Sequence, residues 1–109
     1  MKFKVDHTAG AGTSLQGYLN YTTLESLIKA FGEPQRWEEG LDKVTTEWTI
    51  LFEDGVVATI YDWKRYELGA PGMTEPYDWH IGGNCTDAVD RVVAVLSQSE
   101  KVVSEKVPS

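Results

Sequence analysis

The chain has 109 residues, 41% of them hydrophobic and 25% charged, with a net charge of −7 and a sequence pI near 4.7. That length suits one domain burying roughly two thirds of its extended surface. The single cysteine, Cys85, excludes an internal disulfide and a multi-cysteine zinc site, and the scattered ten Lys and Arg lack the basic stripe of a nucleic-acid-binding surface.

Along the chain, Phe3, Val5 and His7 alternate with Lys4 and Asp6, which predicts a short first strand ended by Gly10 and Gly12. The start MKFKVDHT lacks the apolar stretch of a signal peptide. No apolar run approaches the ~18 residues of a membrane span. A cytoplasmic protein with no membrane contact is expected, and the lone thiol fits a reducing compartment. Leu15–Tyr21 predicts a second strand with Leu15, Leu19 and Tyr21 on one face. Gly17 on that face signals a bulge or a close backbone approach.

The first helix carries its own punctuation. Thr22 and Glu25 form a predicted capping box, and Leu24, Leu27, Ile28 and Phe31 recur at helical spacing. Gly32 then supplies a C-terminal cap and Pro34 a stop. Residues Gln35–Lys43 read as a polar loop whose Glu38, Glu39 and Asp42, with Glu33, form an acidic cluster.

Asp54-Gly55 divides two apolar runs and predicts a hairpin with a two-residue turn. That register pairs Phe52 with Val57, Ile50 with Thr59 and Trp48 with Tyr61, so these residues and Trp63 share a face. Thr49, Leu51, Ala58, Ile60 and Asp62 take the other. Arg65–Tyr77, with two Pro and two Gly, is a long connection of the kind that often carries function. Trp79–Ile81 returns as a brief strand. Asn84 caps a second helix, whose buried stripe is Ala88, Val89, Val92, Val93 and Leu96. Residues 1–98 thus form the domain and 99–109 a polar tail.

The chemistry-bearing residues gather near the end of this pattern. Gly82-Gly83-Asn84 at a helix start would present free N–H groups to an anion, with Lys64 and Arg65 of the neighbouring strand completing the site. The plainer alternative is a tight strand-to-helix turn. His80 invites catalysis or metal binding, with Asp62, Asp78, Cys85 and Asp87 as helpers. Its spacing to Cys85 matches no zinc pattern, so a structural histidine is expected, with no metal and no cofactor. Among the aromatics, Trp48 and Phe52 are expected in the core, while Trp63 and Trp79 stand at strand ends as exposed contact residues. GAGTS near residue 10 lacks the Lys-Ser/Thr ending of a phosphate loop.

The order GTSLQGYLNYT, FGEP, DKVTTEWTILFEDGVVATIYDWK and DWHIGG, followed by an Ala/Val-rich helix, resembles a family of small proteins from tailed bacteriophages and bacterial genomes. The likeness spans about Gly12 to Leu96, and its specific pieces are Val57–Lys64 and Trp79–Gly83. The chain departs from the family in the Arg65–Tyr77 loop. No activity is assigned to the family, so no catalytic or binding role carries over to a residue. What the resemblance implies is context, because small accessory phage proteins are commonly non-enzymatic inhibitors or sequestering proteins directed at host machinery, anti-CRISPR proteins and nucleotide sponges among them.

The expectation is therefore a single α+β domain, an antiparallel sheet of about four or five strands with two helices on one face. The other face is left for a ligand or for a second copy in a homodimer. The expected function is non-enzymatic: inhibition of a host factor, a defence component foremost, in the host cytoplasm. Contacts would come from Trp63, Lys64, Arg65, Trp79, His80, Gly82, Gly83 and Asn84. The alternative is a sponge that holds a phosphorylated nucleotide at Gly82-Gly83, and the third option is a small enzyme using His80.

Overall fold

The structure, a computed structural model, describes residues 2–6, 12–36, 44–63 and 71–106, with side chains as far as residue 99. The described residues form an α+β domain of eight elements: β1 (Phe3–Val5), β2 (Ser14–Thr22), α1 (Leu24–Phe31), β3 (Gln35–Arg36), β4 (Thr46–Phe52), β5 (Val57–Tyr61), β6 (Tyr77–Gly83) and α2 (Asp87–Lys106). The strands form one antiparallel sheet in the order β1-β4-β5-β6-β2, with β3 also against β4. Among the described residues no helix is long and apolar enough to cross a membrane.

The β4–β5 hairpin forms as expected, but its register differs by one residue. Phe52 N–H donates to the Val56 carbonyl and Gly55 N–H to the Phe52 carbonyl, so the loop has three residues, with Gly55 at a φ of 88°. A glycine of positive φ closing a three-residue loop is the bulged alternative to the two-residue turn. The shift pairs Trp48 with Ile60 and Ile50 with Ala58. A one-residue change of register exchanges the faces of a strand. Trp48, Ile50, Phe52, Ala58 and Ile60 therefore share the buried face, while Thr49, Leu51, Val57, Thr59 and Tyr61 take the other.

Both helices cover the first face. Leu24, Leu27 and Phe31 of α1 and Ala88, Val92 and Leu96 of α2 are buried against it. Val93 is exposed, against expectation, because the contact stripe of α2 follows the i, i+4 row of Ala88, Val92 and Leu96. Helix α2 continues to Lys106, past Gln98 where the pattern weakens. The cap of α1 sits one residue later than predicted: Thr23 Oγ1 accepts from Ser26 N–H at 3.2 Å, and Gly32 closes the helix by donating to the Ile28 carbonyl.

Two tryptophans form the centre of the core. Trp48 and Trp79 meet edge to face at 5.6 Å, and each indole N–H is satisfied, Trp48 by the Gly32 carbonyl and Trp79 by the Thr22 carbonyl. A buried aromatic with its polar tip paired gains area without an orphaned donor. Trp79 is fully buried, which corrects its expected exposure: β6 is an interior strand between β5 and β2, and Trp79 points to the helices. At the far end of β5, the fully buried Asp62 carboxylate accepts Thr45 N–H at 2.8 Å, Thr46 N–H at 3.0 Å and the Thr45 hydroxyl. It ties the start of β4 to the end of β5.

Candidate functional site

The face turned away from the helices carries a chain of rings across three strands. Cross-strand pairing sets Tyr18 beside His80 and His80 beside Tyr61. His80 stacks on Tyr61 at 5.4 Å, meets Tyr18 edge-on at 5.0 Å and lies 5.9 Å from Trp63. Trp63 also meets Tyr61 at 6.2 Å, and its backbone N–H donates to the Tyr77 hydroxyl. The rings are partly open to solvent, Tyr18 at 52% and Trp63 at 38%. Among the described residues no helix packs here. Burial, then the charges of Glu47 and Tyr18, push the Tyr61 phenol above its ordinary value, so it stays a neutral hydrogen-bonding group.

The structure sorts the residues singled out by sequence. Trp63 and His80 come together on this face, and Trp79 lies on the opposite one. Gly82 and Gly83 are not a turn. They are buried in β6, paired with Thr59 and Ala58 on one side and with Leu15 and Ser14 on the other. No anion cradle forms from them, because they belong to an interior strand. Each instead permits close packing: a Cβ on Gly82 would meet the Thr59 hydroxyl, and one on Gly83 would meet the Ala88 Cβ and, at 2.8 Å, the Val57 carbonyl. Asn84 does not cap α2. Its side chain accepts Val57 N–H at 3.0 Å and donates to the Gly55 carbonyl at 3.1 Å, bracing the hairpin.

Lys64, Arg65, residues 65–70 of the Arg65–Tyr77 loop, and the cluster of Glu38, Glu39 and Asp42 lie outside the described residues. Of the helpers proposed for His80, Asp62 is engaged by Thr45 and Thr46, and Asp78 accepts Tyr21 N–H at 2.7 Å. Cys85 precedes α2 rather than lying within it, and its carbonyl accepts Ala88 N–H. The described residues contain no group of three or more His, Cys, Asp or Glu placed to hold a metal.

Tyr18 is the member of the ring cluster that sequence reasoning missed. Strict alternation separates Tyr18 from Leu15, but the ladder of β2 shifts between Leu15 and Gly17. The bulge signalled by Gly17 thus brings both residues to the open face. That glycine also fits against Val89, whose methyl lies 3.0 Å from where a Cβ would stand.

His80 Nδ1 is buried and has no hydrogen-bond partner among the described residues. Burial pushes the imidazole below its ordinary value, and the Asp62 charge acts weakly the other way. As pH falls through ~6.5 the unfolded chain takes up a proton that the folded chain resists, so stability falls; the loss is complete below the lowered folded-state value. The thermal midpoint should therefore decline from about pH 7 toward about pH 5. His80→Phe keeps a ring in the stack and should flatten that part of the profile. An unchanged slope would place the pH response elsewhere.

No protein-family model matches the chain, and no curated protein matches it in sequence.

Proposed function

We propose that the chain is a non-enzymatic binding protein that holds a protein partner on its open sheet face, through Tyr18, Tyr61, Trp63 and His80. The resemblance to small phage and prophage proteins supplies the class of partner. It is a host factor, a defence component foremost, which the bound chain inhibits in the manner of an anti-CRISPR protein.

One observation carries this proposal: the rings of Tyr18, Tyr61, Trp63 and His80 stack on one another while leaving surface open to solvent. Aromatic side chains dominate the energetic centres of protein interfaces. Rings already held by their neighbours lose little freedom when a partner arrives, so more of their contact energy is kept as affinity. The net charge of −7 would speed encounter with a basic surface and make the rate salt-dependent.

Capture of a partner from host lysate by the immobilised chain is the direct test. Trp63→Ala should weaken that capture by at least about tenfold, the effect of one interface hot spot. Both ring-bearing residues that stand most open, Trp63 and Tyr18, should behave alike, with the melting temperature nearly unchanged. Full capture by both variants would remove the open face as the contact surface. A thermal-shift gain with a phosphorylated nucleotide, and no captured protein, would replace inhibition with sequestration of a small molecule.

A further inference from the structure

Strand β2 forms the outer edge of the sheet, nine residues long, and among the described residues nothing pairs with its free side. An edge strand presents unpaired N–H and C=O groups to any strand that can align with it, and proteins commonly guard such edges with charge. This edge has none: Ser14–Thr22 reads SLQGYLNYT, without a single charged residue in a chain of net charge −7. It also carries exposed apolar side chains. Leu15 is 49% exposed, Tyr18 52% and Tyr21 80%, and these three are half of the large hydrophobic side chains that the described residues leave exposed.

We infer that β2 pairs antiparallel with β2 of a second copy about a two-fold axis at Tyr18, joining two sheets into one. The sequence of the strand is complementary to itself about that residue. Reversed upon itself, it sets Ser14 opposite Thr22, Leu15 opposite Tyr21, Gln16 opposite Asn20 and Tyr18 opposite Tyr18 of the other copy. Polar residues meet polar ones and exposed apolar residues meet exposed apolar ones, apart from the Gly17–Leu19 pair, which belongs to the helix-covered face. A two-fold contact requires such a self-matching patch.

The two ladder irregularities of β2, between Leu15 and Gly17 and between Leu19 and Thr22, flank Tyr18 almost evenly. They differ in form, since the second contains Tyr21 at a φ of 54° with its N–H bonded to Asp78, so the most regular pairing of the seam is centred on Tyr18 itself. The self-matching order of residues selects a copy of this chain, and the lack of charge permits it. Self-pairing puts no like charges opposite each other, although the rest of the molecule is strongly acidic. The pairing would also set the ring clusters of the two copies side by side, since Tyr18 is the end of each.

The test uses the isolated chain, so its outcome is independent of whether any host partner exists. Sedimentation across a concentration series should show a monomer–dimer equilibrium. Tyr18→Lys sets like charges face to face at the axis and should weaken the dimer by about tenfold or more. Mixing Tyr18→Lys with Tyr18→Glu should restore a mixed dimer, which a merely unfolded variant would not do. In a Cys85→Ser background, Leu15→Cys and Tyr21→Cys chains should cross-link on mild oxidation when mixed. Either alone should not, because like positions lie about 20 Å apart along the seam. A chain that stays monomeric at millimolar concentration overturns the inference. So does a dimer indifferent to Tyr18→Lys, or cross-linking by Leu15→Cys alone.

Discussion

Replacing Gly83 with alanine is expected to destabilise the domain by about 3 kcal/mol, the upper end of the usual range for overpacking a core. The added Cβ would collide with the Ala88 Cβ of α2 and stand 2.8 Å from the Val57 carbonyl. Neither neighbour is the movable tip of a long side chain. One belongs to a helix seated on the sheet and the other to the adjoining strand, so α2 has to lift. The expectation has an internal control. Ala88→Gly alone should cost about 1 kcal/mol, through the loss of one fully buried methyl, yet combined with Gly83→Ala it should recover part of the loss. Urea unfolding of the two single variants and the pair measures that coupling. Strict additivity would mean that the two positions do not touch. Gly55→Ala meets open space but carries a φ of 88°, so it should cost only about 1 kcal/mol through backbone strain.

Asp62→Ala should cost about 3–5 kcal/mol, a large share of the stability of an ordinary domain. The substitution strands Thr45 N–H, Thr46 N–H and the Thr45 hydroxyl in a buried position, and each orphaned donor costs about 1–3 kcal/mol. Water entering the vacated space would recover part of the sum, which is why the total is below three times the upper figure. Asp62→Asn retains one carbonyl oxygen and should lie between the two. Hydrogen exchange at Thr45 and Thr46 gives a local readout, and should accelerate far more in Asp62→Ala than the global loss of stability explains. Equal protection in wild type and variant would show that the carboxylate does not hold this corner.

These two positions also show where sequence reading succeeds and where it stops. The first helix was legible because its signals are local: an apolar stripe of Leu24, Leu27 and Phe31, and a glycine at its end. The hairpin was legible for the same reason, since Asp54-Gly55 sits between two runs that alternate. Its register was not, because Asp-Gly serves both two-residue turns and three-residue loops, and only the backbone bonds of Phe52 separate them. Gly82-Gly83 misled more deeply. A glycine pair before a helix reads as a turn, but here it is strand, and its meaning comes from Ala88 and Thr59, which sequence cannot place beside it.

The candidate site was half legible. Trp63 and His80 were singled out as aromatic and titratable groups near a long loop, and the structure brings them together. Trp79 was misplaced because its exposure depends on strand order. Without knowing that β2 returns to lie against β6, the strand bearing Trp79 looks like an edge. Tyr18 went unnoticed for the same reason, compounded by the bulge that turns it outward. Long-range pairing, rather than residue type, is the missing information in both cases.

Because the helices cover a single side of the sheet, neighbouring positions along β4 and β5 live under opposite pressures. Trp48, Ile50, Ala58 and Ile60 are buried against the helices, whereas Glu47, Leu51, Val57 and Tyr61 turn outward and keep some solvent contact. Substitutions at the second set leave the folding core untouched. Thr49 and Thr59 on that side are buried as well, so tolerance to change is confined to the positions beside them, and these strands carry a patchwork of fixed and variable sites rather than a freely exchangeable face.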